Sequence, residues 1–128
     1  MSDLALILCH KQATSARLRF VRFGDSVIAA HLTHDEAGTV PHPGGLIPAT
    51  VKRTGLSPGD IRLDPEFEAT LLAPEGALTV RLGELTTIDP PFEALAAVDG
   101  RFVGLTEIRG IPDTERDVLR LVYEHMIG

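Results

Sequence analysis

Three of the five histidines, His31, His34 and His42, fall within one short stretch, with Asp35 and Glu36 following His34. Imidazole and carboxylate are ligands for Zn²⁺ and other divalent metals. If His31 ends a strand and His34 opens the next loop, His31, His34, Asp35 and His42 form a candidate cation site. The spacing is not His-Glu-x-x-His, where two imidazoles one helical turn apart meet one ion. The alternative is a polar surface loop whose Asp and His side chains shape turns and meet water.

His42 lies inside Pro41-His42-Pro43-Gly44-Gly45. Paired glycines let backbone approach a ligand closely, and successive N–H groups can cup an anion. Gly44 and Gly45, with Lys52 and Arg53 downstream, are therefore candidate contacts for a phosphorylated small molecule. Pro43-Gly44-Gly45 after a β-rich segment resembles the opening of a Nudix box. In that family a helix with a Glu-rich metal-binding motif comes next. Here the next stretch, Leu46 to Gly55, contains no carboxylate, so the resemblance transfers no catalytic residue. A tight turn is the alternative reading of the glycines.

Glu107 and Arg109, near Thr86 to Asp89 in the expected sheet, form a third candidate. The planar guanidinium suits carboxylate or phosphate; the alternative is a structural ion pair before the last helix. Cys9 sits in an apolar run, where a packed thiol is the expectation. His10 would face the other side of a strand and cannot serve Cys9 as a base. Gly-x-Ser-x-Gly, Gly-x-Gly-x-x-Gly and the P-loop signature are absent from the sequence.

These residues must be held by elements that the pattern suggests. Leu4 to Cys9 is apolar on both faces and reads as a central strand. Arg17 to Phe23 and Val27 to Leu32 flank Gly24-Asp25 and predict a hairpin. Thr33 to Gly45 is rich in Gly and Pro and reads as loop, with a short strand over Ile47 to Arg53. Phe67–Ala73 and Ala77–Leu85 around Pro74-Glu75-Gly76 predict a second hairpin, alternating with period two. Asp89 to Val98 has a helix grammar, with Asp89 as cap and Gly100 as left-handed stop. Asp113 to Ile127 is an amphipathic helix capped by Asp113 or Thr114, with Val118, Leu121, Val122 and His125 on one face and Leu119 and Met126 widening it.

The pattern predicts one α+β domain over residues 1–128. It has a mostly antiparallel sheet or partly open barrel, a short helix near 90–98 and a C-terminal helix near 113–127. The net charge of −6 is uneven, because residues 1–59 carry six basic and four acidic groups and residues 60–128 carry six and fourteen. Neither nucleic acid nor an anionic membrane is an expected partner of such a chain. One cysteine and no signal or spanning segment give a cytoplasmic expectation. The leading functional expectation is a non-catalytic accessory or small-ligand domain acting as a homodimer. A divalent-metal-dependent hydrolase using the His31/His34/Asp35/His42 loop is the second.

Overall fold

The computed structural model describes residues 3–33, 41–74 and 76–128. The spine is β1 (Asp3–Lys11), and its side chains explain the layers around it. Ala5, Ile7 and Cys9 point into one apolar cluster, while Leu4, Leu6 and Leu8 point into another. Successive strand residues face opposite sides, so a run apolar on both faces is stable only between two covering layers. One cover is the C-terminal helix α3 (Asp113–Ile127), which packs Val118, Leu119 and Val122 into the first cluster. The other is α1 (Leu46–Thr54), with Leu46 in the second cluster, joined by Leu95 of the short α2 (Phe92–Ala96).

The remaining strands are β2 (Leu18–Phe23), β3 (Ile28–Leu32), β4 (Ile61–Ala73), β5 (Gly76–Leu85) and β6 (Gly100–Val103). The sheet order is β4-β5-β1-β2-β6, with β3 also paired to β1. The expected α+β architecture with a mostly antiparallel, unclosed sheet is therefore present, but β1 and β5 run parallel. No helix among the described residues is long and apolar enough to cross a membrane.

The β4–β5 hairpin forms as the alternation predicts, with Ala73 opposite Gly76. β4 starts earlier than expected, and its register shifts between Leu63 and Glu68. Pro65 cannot donate to a ladder there. Arg81 reaches across the irregularity and donates to the carbonyls of Phe67 and Asp64, at 3.1 and 3.4 Å.

Three expectations need correction. The segment Arg17 to Leu32 is not a hairpin. The turn closes locally, with Phe23 and Ser26 exchanging backbone hydrogen bonds, but β2 and β3 each pair antiparallel with β1 and so run in one direction. Residues 47–53 are helix, not strand. The helix caps also differ: neither α2 nor α3 has a side-chain cap, and Asp99 at φ 61°, not Gly100, is the left-handed residue after α2. Gly100 is required for space instead, because a Cβ there would stand 3.0 Å from the carbonyl of Leu95.

Glu115, in the first turn of α3, ties the helix to the β2–β3 junction. It is 7% exposed and accepts from the Val27 N–H at 2.8 Å and from the Ser26 hydroxyl at 3.0 Å. Removing it leaves the N–H of fully buried Val27 without an acceptor, a loss of about 2–3 kcal/mol. Glu115→Ala is expected to lower the urea unfolding midpoint by that free energy. Glu115→Gln, which keeps an acceptor, is expected to cost about 1 kcal/mol.

Candidate functional site

The glycine loop is occupied by its own hydrogen bonds. The Gly44 N–H donates to His42 Nδ1 and the Gly45 N–H to the His42 carbonyl, both at 2.9 Å. A Cβ on Gly45 would stand 3.1 Å from Leu32 Cδ1, and one on Gly44 3.0 Å from the His42 ring. These glycines therefore answer to close packing, and those two N–H groups are not offered to a ligand.

The loop leads directly into helix α1. The buried face of α1 is Leu46, Thr50 and Thr54. The Thr50 and Thr54 hydroxyls donate back to the carbonyls of Leu46 and Thr50, at 2.8 and 2.7 Å. That satisfies two buried polar groups within the helix itself. Gly55 at φ 76° ends it. No residue of α1 is acidic; its charges are Lys52 and Arg53 in the last turn. Eight residues of helical rise, about 12 Å, separate Gly45 from Arg53, so the glycines and the basic pair do not converge on one phosphate. Arg53 is already engaged. It donates to the carbonyls of Ile28 and Ala29, at 2.8 and 3.1 Å, and lies 4.2 Å from the centre of the Phe23 ring.

The structure separates the two described histidines of the expected metal set. His31 stands opposite Ala5, so it points to the α3 side, where it lines a cleft of about 270 Å³ with Glu115 and Thr114. Its Nε2 is 3.6 Å from Asp3 Oδ2. His42 precedes α1 and its ring lies against Gly44, while the next residue, Gly45, meets Leu32, which packs on the other cluster. His34 and Asp35 lie outside the described residues. Among the described residues no three His, Cys, Asp or Glu side chains are grouped to hold a metal ion.

Glu107 and Arg109 do not form a pair. Glu107 Oε1 accepts from the Gly104 N–H at 3.0 Å and from Arg17 at 3.4 Å. Arg109 contributes its backbone carbonyl, which accepts from Arg22 Nη1 at 2.5 Å. Thr87 and Asp89 serve another corner, accepting from His10 at 2.7 Å and Gln12 at 3.2 Å. A carbonyl partner requires His10 Nε2 to carry its proton. Fully buried His10 Nδ1 has no hydrogen-bond partner among the described residues.

A further cleft, at the β2–β6 edge, has no local signal in the sequence. Arg22, Gly24, Ala96, Asp99, Gly100 and Arg101 line about 520 Å³ of open volume, within the range of small-molecule sites. Arg22 and Arg101 are register partners on adjacent strands. They are 79 positions apart in the sequence, so only the pairing register brings them together.

Two titratable groups lie under the end of α3. Burial pushes the Cys9 thiol up to about 12, and the nearby carboxylates of Glu84 and Asp64 add to the rise. Such a thiol is inert near neutral pH. At Asp64, burial raises the carboxyl, but the N–H of Glu66, His125 Nε2 at 2.9 Å and the N–H of Phe67 outweigh it and hold the group below its ordinary range.

The architecture has counterparts among solved structures. A C. elegans Ap4A hydrolase in a binary complex superposes with a TM-score of 0.66 at 10% identity, over 98% of both chains. Another structure of C. elegans Ap4A hydrolase gives 0.54 at 12% identity, over 94% of this chain and 89% of that one. The M. smegmatis Nudix hydrolase RenU gives 0.60 at 13% identity, over 97% and 86%. No family model and no curated protein matches the sequence.

A carboxyl group depressed in the folded state stabilises above its unfolded value of about 4, and that stability is lost as pH falls through the folded value. Asp64→Asn is therefore expected to destabilise the protein at neutral pH and to flatten the acid limb of its stability profile below about pH 4. Urea midpoints measured from strongly acid to neutral pH check both. Cys9 is expected to react with a thiol reagent only after unfolding.

The likeness, spread over nearly the whole chain at 10–13% identity, establishes that the fold is of the kind seen in these hydrolases.

Proposed function

We propose that the chain is a divalent-metal-dependent hydrolase of a phosphorylated small molecule of the nucleotide class. The observation that carries this reading is the likeness in fold to an Ap4A hydrolase and a Nudix hydrolase over 97–98% of the chain. In this proposal α1 is not the metal helix, because it offers no carboxylate. The donors are sought in His31, near the end of β3, with His34 and Asp35, which follow it in the sequence; His42, turned onto Gly44, is left out of the set.

The acid-free helix favours a second reading, a non-catalytic domain that binds a ligand of the same class. The expected homodimer belongs with this proposal too. It is supported by Leu72 and Leu121, which are 68% and 48% exposed and share one groove beside edge strand β4.

One experiment separates the two readings. The protein is incubated with Ap4A and with nucleoside diphosphates, with Mg²⁺, Mn²⁺ or Zn²⁺ and with EDTA. Products are followed by chromatography and binding by calorimetry. Metal-dependent turnover abolished by EDTA and reduced at least tenfold in His31→Ala is the expected outcome. Binding without turnover under every metal removes the hydrolase and leaves the binding domain. Neither binding nor turnover removes both. A strict monomer by light scattering at high protein concentration removes the dimer.

A further inference from the structure

The cleft at the β2–β6 edge holds a charge arrangement that the fold alone does not explain. Arg22 and Arg101 stand directly opposite each other on neighbouring strands. Like charges at such positions repel and destabilise a sheet pair. Four of the ten arginines are paired with acids, Arg17–Glu107, Arg62–Glu84, Arg116–Asp113 and Arg120–Asp117. Among the described residues, neither Arg22 nor Arg101 has a carboxylate within ion-pair distance.

Arg22 is also fixed in place. Its Nε donates to the Gly24 carbonyl at 2.8 Å and its Nη1 to the Arg109 carbonyl at 2.5 Å. Three of its five N–H groups remain unspent, and Nη2 lies beside Gly110, 3.8 Å from where a Cβ would stand. A guanidinium held by carbonyls has already lost most of its rotamer freedom, so a ligand that it grips meets less ordering cost. Arg101 is exposed and makes no hydrogen bond or ion pair among the described residues. Together they present one rigid and one mobile guanidinium to a cleft of about 520 Å³, in a chain whose net charge is −6. The acid lining the cleft is Asp99. It is outnumbered, and its acceptor oxygens suit a ligand that carries a hydroxyl as well as an anion.

We propose that Arg22 and Arg101 form a binding site for the phosphate or pyrophosphate group of a hydroxyl-bearing small molecule. Bidentate guanidinium–phosphate contacts are the chemistry this geometry offers. The site stands apart from the hydrolase reading: it requires neither a metal nor turnover.

The test is a titration of the ¹⁵N-labelled protein with inorganic pyrophosphate at low salt, followed by amide shifts. Saturable shifts centred on Gly24, Gly100, Arg101 and Gly110 are expected, and they should weaken as salt rises. Arg101→Glu should raise the apparent Kd at least tenfold while the protein stays folded, because the Arg101 side chain makes no hydrogen bond or ion pair among the described residues. Arg101→Lys should retain part of the affinity, and Arg120→Ala, on the exposed face of α3, should retain all of it. Absence of saturable shifts in the parent protein, shifts centred elsewhere, or an unchanged Kd in Arg101→Glu would each overturn the proposal. Hydrolysis of nucleotides without these shifts would leave the enzyme reading standing and remove this site.

Discussion

Burial of β1 on both faces is the constraint on which the other elements depend. Ile7, Leu8 and Cys9 are adjacent and fully buried, yet alternate residues enter different clusters. Neither α1 nor α3 can be dispensed with, because each covers a row of apolar side chains that water would otherwise meet. The parallel ladder with β5 and the shared edge taken by β2 and β3 supply hydrogen bonds along the same strand. His10 is the polar exception at the end of this row, with Nε2 spent on Thr87 and Nδ1 left over. A buried polar atom without a partner among the described residues costs stability.

That constraint also explains how α1 persists without acids. The helix is fastened by what it buries and by Arg53, whose guanidinium spans two carbonyls and an aromatic ring. Its role as a cover needs only a small, internally satisfied face, which Leu46, Thr50 and Thr54 provide. Structural placement and chemical content are thus separate properties of one segment. A shared fold does not by itself transmit chemistry.

Legibility from sequence tracked the range of the interactions. β1, the β4–β5 hairpin and α3 were readable because each carries its period within its own residues. In α3 Leu119, expected to widen the apolar face, is fully buried, whereas Leu121, expected on it, is 48% exposed. α1 was hidden because Pro48 and the β-branched Ile47, Thr50, Val51 and Thr54 all argue against a helix. Its true signals were the basic last turn and Gly55 as a left-handed stop. The direction of β3 was not readable, since the turn at Gly24 is compatible with a hairpin and only pairing with β1 decides. The split of His31 from His42 and the meeting of Arg22 with Arg101 depend on sheet face and register, which no local pattern encodes.

The account of α1 as a cover that offers no carboxylate to a cation is tested most directly by Mn²⁺ titration with paramagnetic relaxation read at each backbone amide. The result expected is that the amides of Leu46 to Thr54 stay sharp at Mn²⁺ concentrations that broaden any site elsewhere. Broadening centred on α1 would contradict it.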